Sequence, residues 1–445
     1  MGMKLSSMVS APKNTPRTSD LGLLLIVFTL MCYIFVCFTA YHSKFLAEQL
    51  LLSYVEIPIF AVMGCCFCRG DYFRRKYNLL SLAFLLCLVL SCWLRGDLIW
   101  DDSIRFSFVK FCLLCGIALP FSLFSGDRDS RKLLHILVLP ALMLFACFLW
   151  LAFAALILGE NICILPKQFE FGSTYTSTGR MMLKVLNIHY YRTGYLSVCC
   201  FFACLYLAVS RWSAKSAPFW ILLLVTFAAG ILITYSRTAV FAFVGGLLLA
   251  FHIFLDSRNI SRKKKYLLFG ASVLASAVLT VLIMNSIYRA VHSIRDIWYS
   301  ISTLSSRTDL WAASLSVLRE HPDALLRGLD PAMIPTLVKS HLPEFSSVAH
   351  LHSGYLQTLL SVGIPGFSLV LAFCLYLCKC AFRIFFAPTS SAVKPADKCL
   401  ILVPMVCLAM NLAESALFYC YMEAELLNLF TALFAGYIFE KSRCI

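Results

Sequence analysis

Charge is what this chain has least of. Only 14% of its 445 residues are Asp, Glu, Lys or Arg, against roughly a quarter in a soluble domain, so a water-soluble globule of this length is excluded. Its hydrophobic runs also lack apolar–polar alternation, which excludes a membrane β-barrel. Acid is scarcer than base, 23 residues against 38 for a net charge of +15, but the basic residues are scattered over many turns. They form no single surface of the kind a nucleic-acid partner requires. There is no internal repeat of two matching halves, the usual mark of a secondary transporter. The first hydrophobic run follows Lys4, Lys13 and Arg17 and has no small-residue cleavage site; it reads as a retained span. Cysteine is plentiful at 21 residues, but nearly all sit inside runs (Cys199, Cys200, Cys204) or on the basic side (Cys65, Cys66, Cys68). Packing is the expected role, in place of disulfides or a metal cluster.

What remains is 60% hydrophobic sequence broken into stretches near the ~20 residues needed to cross a bilayer. About twelve spans are predicted, near 21–41, 50–68, 79–94, 104–124, 133–158, 193–210, 219–235, 238–255, 266–287, 353–378, 399–418 and 426–439. The fold class expected is an all-α polytopic membrane protein. Arg74, Arg75, Lys76, Arg131, Lys132, Arg262 to Lys265, Lys394 and Lys398 fall on one side, and the other holds little beyond Lys44, Arg95 and Arg237. By the positive-inside rule both termini are expected in the cytoplasm. Three regions follow: spans one to nine over 1–287, an outside loop over 288–352, and the last three spans with the C-terminus over 353–445.

Two outside segments are long, 159–192 and 288–352. The second carries helix signals. Ser306 and Asp309 have capping-box spacing, and Leu310, Trp311, Ser314, Leu315 and Leu318 form an apolar stripe. Pro322 should stop that helix, and Asp330–Pro331 should start another with Asp as N-cap. Two short amphipathic helices are expected on the outer leaflet or over the bundle, with Trp298 and Trp311 at interfacial depth.

Arg237, in Thr234-Tyr235-Ser236-Arg237-Thr238, stands where two apolar runs meet. It is either a snorkelling side chain or an inward-facing cation, with Ser236 free to cap the following span. His352 stands at the start of the tenth span, with His350 beside it and Arg307 on the same loop. A lone histidine there would more often be structural, but fixed guanidinium groups, an imidazole and helix N-termini on one face suit phosphate. Arginine stays charged without a metal, and Asp-x-Asp and His-x-x-x-His spacings are missing from this face. Arg192 is open between a third phosphate contact and an interfacial anchor. Among intramembrane charges, Arg105 and Lys110 share a span, and Glu56 and Glu414 read as counter-ions of basic side chains.

Taken in order, Tyr235-Ser236-Arg237-Thr238 opening a span, Arg307 with Trp311 and the Pro322/Gly328 break, and His350-Leu351-His352-Ser353 leading to Gly363-Ile364-Pro365-Gly366 resemble the O-antigen ligase and polymerase superfamily. Ser353 stands where that family usually has Asn. The resemblance covers about 180 residues of the C-terminal half. It implies a GT-C-type glycosyltransferase of the bacterial inner membrane that moves a glycan from undecaprenyl diphosphate to an acceptor on the periplasmic side. For the ligase branch the acceptor is lipid A-core. Arg237 and Arg307 match the family's diphosphate-binding arginines and His352 its essential histidine; His350, Arg192 and Trp311 are expected as further diphosphate contacts. No cofactor or metal is implied, and the expected chemistry is inverting displacement. An O-antigen polymerase or a protein O-oligosaccharyltransferase would use the same donor, and a secondary transporter is the rival of another class.

Overall fold

Among the residues that the computed structural model describes, helices dominate. These residues are 76–96, 127–164, 169–175, 181–185, 190–234, 236–256, scattered positions between 261 and 278, 307–330, 333–342, 348, 351–388, 393–414, 425–443 and 445. The spans expected over 21–41, 50–68 and 104–124 and most of 266–287 lie outside them. So do Glu56, Arg105, Lys110, Trp298, His350, Cys65, Cys66 and Cys68.

In chain order, α1 (Lys76–Arg95) and α2 (Asp127–Leu158) precede a small sheet. Then come α3 (Tyr190–Arg211), α4 (Ala217–Ile233) and α5 (Arg237–Asp256). Among the described residues, five helical stretches are long and apolar enough to cross a membrane: Leu134–Leu158, Arg192–Arg211, Arg237–Leu255, Gly354–Phe386 and Pro395–Leu412; Ala217–Ile233 is a shorter apolar helix. Each matches an expected span. Their exposed faces stay apolar, with Leu222, Val225, Leu232, Phe241, Leu247 and Phe251 all turned outward, as a lipid-facing surface requires.

Among the described helices, α3 is the most enclosed. Nearly every residue from Thr193 to Ala208 is buried, and α2, α4, α5 and the last helices pack around it. Small side chains such as Cys199, Cys200, Ala203, Cys204 and Ala208 let those neighbours approach. Some of the polar groups inside are paired within a helix or across two helices. Ser197 donates to the Thr193 carbonyl at 2.7 Å, and Thr226 accepts from Trp150 Nε1 at 2.9 Å.

The segment 159–192 corrects the all-α expectation. It holds β1 (Ile162–Ile164), β2 (Phe169–Tyr175) and β3 (Met181–Lys184), an antiparallel sheet in the order β1-β2-β3. Ile162 pairs with Phe171, and Tyr175 with Met181. Phe169-Glu170-Phe171 alternates at the strand period, and Phe171 is buried against Phe148 of α2. The local signal is short, and packing on α2 decides it.

Within the segment 288–352, α6 (Arg307–Glu320), α7 (Ala324–Arg327) and α8 (Ile334–Ser340) build a second apolar cluster of their own. Leu310, Ala313, Val317, Leu318, Ala324, Ile334, Val338 and Leu342 close over Leu351 and Leu360. The buried stripe of α6 is thus turned slightly from the expected one: Leu315 is exposed, and Ala313 and Val317 are inside. Helix α6 ends before Pro322 as expected. Helix α8 is described over Ile334–Ser340 with Pro335 in its first turn, and the Asp330 carbonyl, ahead of it, accepts from the Met333 and Ile334 amides at 3.0 and 3.2 Å. Ser306 and Pro331 lie outside the described residues.

Helix α9 (Gly354–Phe386) has a break at Gly363. Its 33 residues would reach about 50 Å if straight, well beyond ~30 Å of hydrocarbon. The part after the break is about 35 Å long, a bilayer-sized piece. Helices α10 (Pro395–Cys399), α11 (Leu402–Ala413) and α12 (Glu425–Arg443) complete the described chain. Far from the α9 start, buried Asp397 of α10 joins Arg131 of α2 at 3.0 Å and Lys441 of α12 at 3.3 Å.

Candidate functional site

Three helices begin at one place. Ser236 precedes α5 and accepts from the Ala239 amide at 3.3 Å, capping that helix. Arg307 is the first residue of α6. Ser353 precedes α9, extended at φ −156°, and accepts from the Leu356 amide at 3.4 Å. Serine thus fills the N-cap position itself, where it is as favourable as asparagine. Each helix start directs unsatisfied N–H groups and positive dipole into the same region.

One carboxylate organises that region. Glu414 ends α11 and is 4% exposed. One of its oxygens accepts from Arg307 Nη2, and the other lies 2.9 Å from His352 Nδ1. Arg307 Nη1 also donates to Thr238 Oγ1 at 3.2 Å, tying the loop to the first turn of α5. The hydroxyl of Tyr195, on α3, lies within hydrogen-bonding reach of Ser236 and Glu414. The main chain of Glu414 takes part as well, because its carbonyl accepts from the Gly354 amide at 3.1 Å. A Cβ at Gly354 would stand 1.9 Å from Asn411 Oδ1, so only glycine lets α9 and α11 approach this closely.

An ionised carboxylate offers only acceptors. With both oxygens of Glu414 engaged as acceptors, Nδ1 of His352 carries a proton, and Nε2 is the ring nitrogen turned away from the carboxylate. His352 itself has φ +50°, a left-handed conformation uncommon outside glycine. Its place between the buried Leu351 and the capping Ser353 holds it there, at a backbone cost of about 1–2 kcal/mol. Trp311 Nε1 donates to the Leu351 carbonyl at 3.1 Å, so α6 fixes the chain immediately before the histidine.

Of the residues expected from sequence, Arg307 and His352 meet through Glu414. Arg237 is the first residue of α5 beside Thr238, half-buried. Trp311 acts on the backbone next to His352. Arg192 is half-buried in the first turn of α3, one turn before Tyr195. Glu414 had the sequence signal of an intramembrane acid awaiting a cation. It has such a partner in Arg307, and it also touches the imidazole, which its sequence context did not indicate. Thr238 and Tyr195 carried no signal of their own, since hydroxyls at span ends are commonplace. Among the described residues, no group of three or more His, Cys, Asp or Glu is arranged to hold a metal ion.

The arrangement can hold an anion against Arg307 and converging helix N-termini, and can take a proton at His352 Nε2. Residues 222–371 match the family model described as O-antigen ligase, a stretch containing Arg237, Arg307 and His352 but ending before Glu414. No curated protein matches the chain.

Proposed function

We propose that this chain, with its O-antigen ligase region at 222–371, is a glycosyltransferase that moves a glycan from undecaprenyl diphosphate to lipid A-core. The reaction takes place on the periplasmic face of the bacterial inner membrane, with both termini in the cytoplasm. The family match supports glycosyl transfer by a ligase or polymerase. The observation that carries the reading of this site is Glu414 bridging Arg307 and His352 where three helices begin.

The reaction follows from those groups. Arg307 and Arg237 hold the donor diphosphate, and on binding Arg307 exchanges part of its contact with Glu414 for phosphate oxygen. His352 Nε2 takes the proton of the acceptor hydroxyl as that oxygen attacks the anomeric carbon. The bond from the anomeric carbon to the phosphate oxygen breaks, and its electron pair leaves on undecaprenyl diphosphate. Charge grows on the leaving oxygen, so a guanidinium already in place stabilises the transition state more than the ground state. Glu414 keeps Nδ1 protonated and stabilises the imidazolium formed. Attack opposite the leaving group inverts the anomeric centre, and permanent arginine charge serves where other enzymes use a metal.

The test is transfer by purified protein from a defined undecaprenyl-diphosphate glycan to core lipid. Arg237→Ala, Arg307→Ala and His352→Ala should each lower turnover by roughly 100-fold or more while the protein stays in the membrane. Wild-type turnover in His352→Ala would remove its catalytic role. Extension of the lipid-linked glycan in place of transfer to core would make the protein a polymerase, and transfer to peptide an O-oligosaccharyltransferase. Failure to act on any acceptor, with donor glycan stranded on the inner leaflet of a deletion strain, would favour transport.

A further inference from the structure

The break in α9 is joined to distant parts of the chain. Pro365 has no N–H, so the Ser361 carbonyl, four residues earlier, cannot make its helical bond. Gly363, at φ +67°, turns the chain out of helix at the same place. Two carbonyls are therefore left over, and both are taken from outside α9. Leu329, just after α7, donates its amide to the Leu360 carbonyl at 2.6 Å. Arg95, the last residue of α1, donates Nη1 to the Ser361 carbonyl at 2.9 Å and to the Arg327 carbonyl at 3.3 Å.

The same guanidinium thus closes two helix ends at once, that of α7 and that of the first half of α9. Both ends carry partial negative charge that a cation stabilises. The fit is close. Gly328, at φ +74°, would set a Cβ 2.2 Å from the Ser361 carbonyl oxygen, and a Cβ at Gly363 would lie 2.7 Å from the Leu326 carbonyl oxygen. No side chain fits at either point, so α7 and the break meet backbone to backbone.

This junction lies about 13 Å along the helix from His352. The first half of α9 carries Ser353 and His352 at its free end, and the cluster containing α7 carries Arg307. Their relative position depends on how α7 and α9 are joined at the break. We propose that Arg95 is a positioning residue for transfer: by holding α7 against the α9 break it sets the register of Arg307 to His352. The proposal rests on the functional reading above. It places part of the site's geometry in α1, well outside the region 222–371 matched by the family model.

The experiment uses the full-length protein in lipid nanodiscs as wild type, Arg95→Ala and Arg95→Lys, measured by hydrogen exchange and by transfer kinetics. In Arg95→Ala, exchange should rise about tenfold or more in peptides covering 324–330 and 351–364 and stay at wild-type rates over Tyr190–Arg211. Turnover should fall about 10- to 100-fold, as misplacement of catalytic groups from a distance does, with KM for the lipid-linked donor little changed. Arg95→Lys keeps a cation able to reach a carbonyl and should recover much of both. Wild-type exchange at the junction in Arg95→Ala overturns the proposal, and so does raised exchange with unchanged turnover. If Arg95→Ala does not fold, Arg95→Lys decides alone: wild-type exchange and turnover at wild-type KM support the positioning role, and a KM rise at unchanged turnover overturns it. If the wild type transfers to no acceptor, the functional reading fails, and the junction is then judged by exchange at 351–356 beside His352.

Discussion

Replacing Glu414 by glutamine changes one oxygen for an amide nitrogen and keeps the side chain's shape. In the native protein both oxygens accept, one from Arg307 and the other from His352 Nδ1. Glutamine has one acceptor and one donor end, so one partner must lose its bond or reverse its role. Arginine cannot accept a hydrogen bond, but a neutral imidazole can exchange tautomers. The amide oxygen therefore stays with Arg307 and the amide nitrogen faces Nδ1. His352 then holds its proton on Nε2, the atom that must receive the acceptor's proton. A general base contributes about 10²–10⁴-fold in rate, or about 3–5 kcal/mol at 1.36 kcal/mol per factor of ten. Turnover in Glu414→Gln should fall by that factor, with little change in KM because Arg307 and Arg237 remain. Stability should fall by up to about 3 kcal/mol, since Arg307 keeps an amide acceptor but loses its counter-ion at a mostly buried place. The assay is steady-state transfer with purified protein, with thermal unfolding run on the same samples. Turnover within about threefold of wild type, in a folded variant, would refute the tautomer argument and leave Glu414 a counter-ion.

Gly354→Ala should lower the unfolding temperature by several degrees, because a Cβ 1.9 Å from Asn411 Oδ1 forces α9 and α11 apart at a typical overpacking cost of about 1–3 kcal/mol. An unchanged thermal transition would contradict that packing. Ser353→Ala should cost about 1 kcal/mol of stability through loss of the α9 cap, and Ser353→Asn should stay close to wild type; proteolytic susceptibility of the 343–356 region reads both. Treatment with a strong chelator should leave transfer unchanged, since Arg307 and the helix N-termini supply the positive charge. Loss of activity restored by added divalent cation would count against this.

Much of the candidate site was legible in the sequence because polar residues are rare where apolar pressure is high. Arg307 and His352 stood out for that reason, and Ser236 was readable as the cap of α5. The strand alternation at Phe169–Phe171 was too short to outweigh a helical background. Glu414 was visible as a charge in need of a cation, but one short acidic signal could not reveal two partners 62 and 107 residues away.

By itself the sequence determined the solvent, the period and the inventory. Low charge and continuous apolar runs require helices in a bilayer, because backbone groups in lipid must bond within their own segment. Caps, prolines and isolated charges then mark helix ends and the residues able to do chemistry. Tertiary structure alone decided which helix ends meet. Glu414 reaches Arg307 and His352 because Gly354 lets α11 lie against the start of α9. Arg95 reaches Ser361 because Pro365 leaves a carbonyl there unsatisfied. Both contacts join residues far apart in the chain, and local preference has no means of specifying such pairs; packing within the bundle does.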